Sequence, residues 1–524
     1  MKKIAILSSL LIFGVLGILF LQGSTVVKSV RTLNKRNLAR EVKALDRISY
    51  VRRVHPAASG REFVINISRQ SDMDGLGSAI SGAINKGEKN IVVKFAKGNY
   101  QFKHRAVQII DKNIPDVCLS FIGNGAVLTG EGFNDESIKP LTSMKNIGAK
   151  VEIVDASKKM CRIKYSGALS KEAQSSLKKG ELQILLTEWY HTSYGKVEKV
   201  SGGWLYFTTD LGKSMGDYNV NSDYSFGKVT PRFQLWRRAD DKAASTFLYM
   251  RNVTMKSMHV SGLDFSGSGD SRFIFELVRC GANDILFEKN TFTRLRWRAI
   301  HLEASRNVTI SDNVFSGNVR DLIWSDGATE GTWIEGNTFD GSAMPSSNYP
   351  FIYAYGKEYY IGHNVFRDFP YTSMYLGRHF GGEKNFVSSG IVEHNEIYYT
   401  PQYLADYQSH TLMDSGALYV TTQNDLLIIR DNYIHDYKGI KGNNGIFLDD
   451  GSFNVKIYRN KVTGISNGTS IHSRRVKDLE TRSDSKAKKT NFNNSILLNT
   501  VDGDILFEGR EDGTCLYGGN IKVK

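Results

Sequence analysis

The stretch ILFEKNTF at residues 285–292 is written again as VTISDNVF at 308–315, TWIEGNTF at 332–339 and YYIGHNVF at 359–366. Further copies are GIVEHNEI at 390–397, LIIRDNYI at 427–434 and VKIYRNKV at 455–462. Each reads roughly apolar–x–apolar–x–x–Asn–x–aromatic or apolar, with the asparagine at Asn290, Asn313, Asn337, Asn364, Asn395, Asn432 and Asn460. Successive asparagines stand 23 to 37 residues apart, a period that belongs to stacked repeats. Within a copy the alternation has the period of a strand, not of a helix. One short β unit and one asparagine per turn predict an all-β chain, a right-handed parallel β-helix. At the bend the asparagine is expected to adopt a left-handed backbone and to bond the neighbouring turns through its amide. Such coils carry many chemistries, so function has to be read from the side chains that project from them.

The pattern sets the domain organisation. Residues 1–23 read as a signal peptide or signal anchor, because Lys2 and Lys3 precede an apolar run from Ile4 to Leu21. Residues 24–60 read as a basic stalk or linker, and 61–142 as an N-terminal cap with the first turns. GSAISGAINKG within that cap suggests a short helix over the open end of the coil, where strand edges would otherwise be exposed. Residues 143–246 lack the asparagine pattern and read as a β-rich insertion. Its Trp189, Tyr190, Trp204, Tyr206, Phe207 and Trp236 form either a sugar-stacking surface or the insertion's own core. The main coil spans 247–473, and 474–524 read as a charged loop and closing turns.

The formal charge of +14 is largely local. Residues 24–53 hold nine Lys/Arg against Glu41 and Asp46, and Lys2 and Lys3 add two more charges, which leaves +5 for the remainder. An acidic ligand is compatible with this; no nucleic-acid motif accompanies it, and no nucleic-acid partner is expected. Cys118, Cys161, Cys280 and Cys515 lack metal-ligand spacing and read as buried thiols, with one disulfide open to an exported chain. The chain is expected to be exported, in the periplasm, at the cell surface or secreted, to touch membrane only through its N-terminal segment, and to be a monomer.

Alternation within the strands places one column outward. It holds His301 and Glu303 in AIHLEA, Trp324 and Asp326 in LIWSDG, and Tyr353 and Tyr355 in FIYAYG. It continues with Tyr375, with Arg378 and His379 just beyond it, then Tyr419 and Thr421 in GALYVTT, and Phe447 and Asp449 in GIFLDDG. Aromatics flanked by carboxylates, Arg and His suit an open groove for a polysaccharide or oligosaccharide, acidic or neutral. His301, Trp324, Tyr355, Tyr375, Arg378, His379, Tyr419 and Phe447 are the candidate substrate contacts. Glu303 and Asp326 are one tight turn apart, so their carboxyls are expected at roughly 5 Å, the spacing of a retaining glycosidase pair. Asp414 with Asp449 and Asp450 form a second acidic group, with Asp414 ahead of its strand and Asp449 at the end of the next.

FRDFPYTSMYLG at 366–377, DSGALY at 414–419 and GIFLDDGSFNVKIYRN at 445–460 resemble exported bacterial β-helix proteins of the pectate-lyase-like superfamily, and within it the glycoside hydrolase family 141 type. Ser415 departs from the family's D-G-G-A-I-Y. The resemblance covers 247–471 and, generically, the cap. It implies cleavage of sugar chains and draws attention to Asp414, Asp449 and Asp450 ahead of Glu303 and Asp326.

Three functions compete. A glycoside hydrolase would use two carboxylates. A polysaccharide lyase on uronic-acid chains would need a base and a group that neutralises the uronate, with Arg294, Arg296 and Arg298 beside Trp297, or Arg378 with His379, as candidates. A non-catalytic envelope protein would only bind glycan. No cofactor is required by any of these, and no metal ligands are assigned. No tight Asp cluster points to calcium, although a Ca2+ ion is left open by the lyase reading.

Overall fold

The computed structural model describes residues 26–523 except 29, 57, 59, 132–137, 143–144, 147–150, 156, 189–190, 210–231, 239–245, 269–272, 296–297, 319–320, 327, 342–348, 378–387, 406–414, 422–424, 438–442, 450–451, 466–467, 475–492 and 509–513. The chain winds as a right-handed parallel β-helix in which each turn lays three strands onto three stacks. The first stack runs from Phe275–Val278 through Ile300–Glu303, Ile323–Asp326 and Ile352–Ala354 to Thr469–Ser473 and Asp504–Glu508. The repeated sentence supplies the second stack before each asparagine and the third stack after it.

The asparagines form one ladder. The Asn313 backbone N–H donates to Asn337 Oδ1 at 2.9 Å, and its Nδ2 donates to the same oxygen at 3.0 Å and to the Phe287 carbonyl at 3.0 Å. The pattern repeats down the coil and continues past the seven copies, through Asn499 to Asn520. The left-handed residue is not the asparagine, as the sequence suggested. It is the residue before it: Lys289, Asp312, Gly336, His363, His394, Asp431 and Arg459 all have φ between 53° and 67°. That residue makes the corner, which frees the asparagine side chain to point inward, where it bonds backbone groups that turn away from the strands.

The position two after each asparagine faces the core. Phe292, Phe315, Phe339 and Phe366 stack with centroids 4.7–4.8 Å apart, the rung spacing of a parallel sheet. The helix Leu76–Asn85 closes the N-terminal end by burying Leu76, Ile80 and Ala83. Val107–Gly130 then pairs in parallel with Leu248–Ser268. Between these two strands, residues 138–238 contribute a separate eight-stranded antiparallel sheet with its own core, including Ile163, Ile184, Leu205, Phe207 and Leu235. Phe207 and Trp236 are buried and so unavailable to a ligand, whereas Trp204 and Tyr206 are half-buried; Trp189 and Tyr190 lie outside the described residues.

The basic segment after the apolar run is not a free stalk. Val26–Lys28 pairs with Asp504–Glu508, and Arg31–Thr32 pairs with Leu516–Gly518, so the N-terminus adds a partial rung at the C-terminal end of the coil. The helix Lys35–Leu45 packs Leu38, Val42 and Leu45 onto the outside of the second stack, against Tyr360, Ile391, Ile428 and Tyr458. The chain then continues along the coil toward its first turns. Arg52 meets Glu335 at 3.5 Å, and His55 Nδ1 lies 3.1 Å from Asp284 Oδ2. The physical reason is apolar surface: the second residue of the repeat is outward yet is Trp333, Tyr360, Ile391 and Ile428 in four consecutive copies, and these side chains need a cover. No helix among the described residues is long and apolar enough to cross a membrane.

Candidate functional site

Strand register aligns the predicted column. Glu276, His301, Trp324, Tyr353, Tyr375, Tyr419, Phe447 and His472 are successive partners in the first stack. Two residues further along each strand, Glu303 pairs with Asp326, and Thr421 pairs with Asp449. Asp414, Asp450, Arg378 and His379 lie outside the described residues, as do Arg296 and Trp297.

The column is not an open aromatic floor. His301, Tyr353, Tyr355, Tyr419 and Phe447 are buried, while Trp324 and Tyr375 are half-buried. The rings also consume one another's faces. Trp324 and Tyr353 stack at 4.0 Å, Tyr353 and Tyr375 at 5.4 Å, and Phe447 and His472 at 4.9 Å. In-register rings on a parallel sheet are held one rung apart, which is also a stacking distance. Stacked in this way, the column offers ring edges and hydroxyls.

Toward the N-terminal end, three turns bring polar side chains together. The Trp324 indole N–H donates to Asp326 Oδ2 at 2.8 Å, and His301 Nε2 lies 3.9 Å from Asp326 Oδ1. Phe273 stacks on the His301 ring at 4.4 Å. Arg298 lies 3.7 Å over the Trp324 ring and is paired with the fully buried Asp321. Among the described residues, three atoms here are buried without a hydrogen-bond partner: Glu276 Oε2, His301 Nδ1 and Asp326 Oδ1. Buried polar atoms are normally satisfied, and these three stand on adjacent turns. Glu303 stands one rung from Asp326, which sets their backbones roughly 5 Å apart.

Toward the C-terminal end, a different set gathers. The Tyr419 hydroxyl donates to Asp449 Oδ2 at 2.8 Å, and Arg474 Nη1 reaches Asp449 Oδ1 at 3.5 Å. Burial holds the His472 imidazole below its ordinary pKa, against an opposing pull from Asp449. Asp449 stands four rungs from Asp326, roughly 19 Å, so the two carboxylate groups cannot serve one bond. Among the described residues, no group of three His, Cys, Asp or Glu side chains is arranged to hold a metal.

Glu276, His472 and Arg474 were not singled out from the sequence. Extending the column by one turn at each end, into FIFELV and TSIHSRR, would have found them. Of the arginines considered for a lyase, Arg294 bonds the Ser266 hydroxyl and Arg298 is paired with the Asp321 carboxylate.

Residues 254–339 match the family described as right handed beta helix region. Comparison with curated proteins finds no match in sequence. Solved structures that resemble the chain include a glycoside hydrolase at 9% identity and a TM-score of 0.44, covering 87% of this chain and 96% of that one. The A-module of the Azotobacter vinelandii mannuronan C-5 epimerase AlgE6 is 11% identical, with a TM-score of 0.42, over 86% of this chain and 95% of that one. An alginate lyase from Paenibacillus sp. str. FPU-7 is 8% identical, with a TM-score of 0.37, over 88% and 99%. The matched segment and the stacking of the strands agree on a right-handed parallel β-helix.

Proposed function

We propose that this protein acts on polysaccharide chains and cleaves glycosidic bonds by hydrolysis, with Glu303 and Asp326 as the working carboxylates. One observation carries the reading: Glu303 and Asp326 are register partners on adjacent rungs, beside Glu276 and His301. Carboxyls about 5 Å apart suit a retaining double displacement. Trp324 occupies one oxygen of Asp326 and leaves Oδ1 without a partner, so Asp326 is oriented as the nucleophile. Glu303 then protonates the departing sugar oxygen and afterwards activates water. His301 and Glu276 contact hydroxyls of the bound sugar. The family 141 resemblance agrees with hydrolysis, although it points to the other acidic group.

A second reading rests on the Tyr419–Asp449 bond with Arg474 and His472 alongside. There a uronate could be neutralised by Arg474 and deprotonated by Tyr419 or His472, giving β-elimination. We further propose export through residues 4–21, with or without retention at the membrane.

The purified protein is incubated with a panel of plant, algal and host glycans, and its products are analysed. Hydrolysis yields new reducing ends that do not absorb in the ultraviolet; elimination yields unsaturated, absorbing ends. Glu303→Gln and Asp326→Asn are expected to lose at least about 100-fold in turnover. Normal turnover in both variants, with loss in Tyr419→Phe and Arg474→Ala, would move the site to the C-terminal group.

A further inference from the structure

Beyond residues 1–53, the net positive charge of the chain lies in the segment that carries the inserted sheet. Residues 138–238 hold 17 Lys/Arg against 9 Asp/Glu, a net of +8. With the +9 of residues 1–53 also set aside, the rest of the chain sums to −3. The coil is therefore slightly acidic, and the cation-rich part is a module that the groove chemistry does not use.

Part of that charge sits on one sheet face. Along the strand Trp204–Thr209, Leu205 and Phe207 point into the module's core, and Trp204, Tyr206 and Thr208 point the other way. Met160–Lys164 flanks this strand on one side, pairing Arg162 with Tyr206 and Lys164 with Trp204. His191–Ser201 flanks it on the other, pairing Lys199 with Tyr206 and Lys196 with Thr208. Arg162 lies 4.0 Å over the Trp204 ring and is bonded to Glu152 at 2.6 Å, which fixes both side chains. Lys199 Nζ lies 4.6 Å from the Tyr206 ring. Lys164, Lys196 and Lys199 are exposed, and among the described residues none of the three has a carboxylate partner. Glu198 accepts from the Thr208 hydroxyl at 3.0 Å, and Asp155, at the edge of this face, pairs with Lys158. The result is an aromatic ridge with unpaired ammonium groups along both sides.

We propose that this face is an accessory binding surface for an anionic polysaccharide, separate from the groove of the coil. Lysines on both flanks suit a linear chain that carries carboxylate or sulfate groups at regular intervals. The half-buried rings of Trp204 and Tyr206 add apolar contact with sugar carbons and hold nearby cations in place. A neutral glycan would leave three ammonium groups unused. The surface would keep a charged chain on the protein between cleavage events, by an attraction that salt screens.

Affinity electrophoresis of the full chain tests the proposal, with gels that contain polygalacturonate or alginate (carboxylate), dextran sulfate (sulfate) or neutral dextran. Migration should be retarded in at least one anionic gel and not in dextran, with the effect weakened by added salt. The triple variant Lys164→Ala, Lys196→Ala, Lys199→Ala and the single variant Trp204→Ala should each weaken binding at least tenfold, with unchanged circular dichroism. Glu303→Gln and Asp326→Asn should bind as the parent does, which separates this surface from the groove. Retardation that persists in the triple variant, or equal retardation in dextran, would overturn the proposal. So would binding of single-stranded DNA or anionic vesicles as tight as that of the glycans and lost in the same variants, since the surface would then be a general polyanion or membrane site.

Discussion

The Tyr419 hydroxyl donates to Asp449 Oδ2 across 2.8 Å, and both side chains are at most 5% exposed. Asp449 also faces Arg474, so it is a braced carboxylate. Replacing Tyr419 by Phe removes one partner of a buried charged group, at a cost of about 1–3 kcal/mol. We expect a lowered unfolding midpoint in Tyr419→Phe, measured in urea, while glycan hydrolysis stays within about tenfold of the parent. A loss of 100-fold or more without loss of stability would make this pair chemical, not structural.

Asn364 is 1% exposed and serves three carbonyl-type acceptors through one amide: Ile334 O, Gly362 O and Asn395 Oδ1. Asn364→Ala would remove these three bonds and leave the Asn337 backbone N–H without its acceptor, while Asn395 Oδ1 keeps the backbone N–H of position 364 and the Gly362 carbonyl keeps that of Gly336. A destabilisation of about 2–4 kcal/mol is expected, since each orphaned buried group costs on the order of 1–3 kcal/mol. Asn520→Ala, at the open and partly exposed end of the same ladder, should cost distinctly less. Paired denaturation curves check this; equal costs would mean the ladder does not carry the load assigned to it.

The N-terminal segment should behave as part of the fold. Removing residues 2–23 is expected to leave the unfolding midpoint unchanged. Removing residues 2–55 uncovers Tyr360, Ile391 and Ile428 and should lower the midpoint and raise binding of a hydrophobic dye. Leu38→Ala, a buried helix position, should cost about 2–5 kcal/mol. An unchanged midpoint after the longer truncation would return the segment to the status of a stalk.

His259 and His472 are both held below the usual histidine pKa, in each case by burial first. Below a pH of about 6.5 the unfolded chain takes up protons at these sites that the folded chain resists, so stability falls as pH drops. Asp264 and Asp368, raised by burial, act in the opposite direction, but only in the carboxylate range. The expected result is a loss of stability from pH 7 to 5.5 that flattens in His259→Gln and His472→Gln. Stability that is level or rises over that interval in the parent would contradict it.

Much of the coil is legible in the primary structure because a solenoid is built from local, repeated units. One alternating strand, one corner and one asparagine recur at each turn, so the pattern that makes a turn is also the pattern that stacks it. Strand parity then places His301, Trp324, Tyr353, Tyr375, Tyr419 and Phe447 in one outward column, because side chains in a strand alternate and parallel strands align residue to residue. The same logic pairs Glu303 with Asp326.

Parity says which way a side chain points; it cannot say what lies over it. The aromatic column stacks on itself because rung spacing equals ring spacing, and this only appears once the turns are superposed. The basic segment after the apolar run carries no repeat of its own, so its course along the coil is decided by surface hundreds of residues away: Arg430 reaches the carbonyls of Leu45 and Ile48, and Arg459 pairs with Asp46. A contact of that separation leaves no periodic trace. The sequence by itself determined the coil, its ladder and its outward column, all products of short-range periodicity. Only the tertiary structure decided which outward residues are covered and that the N-terminal segment pairs at the C-terminal end, because each depends on burial between segments remote in the chain.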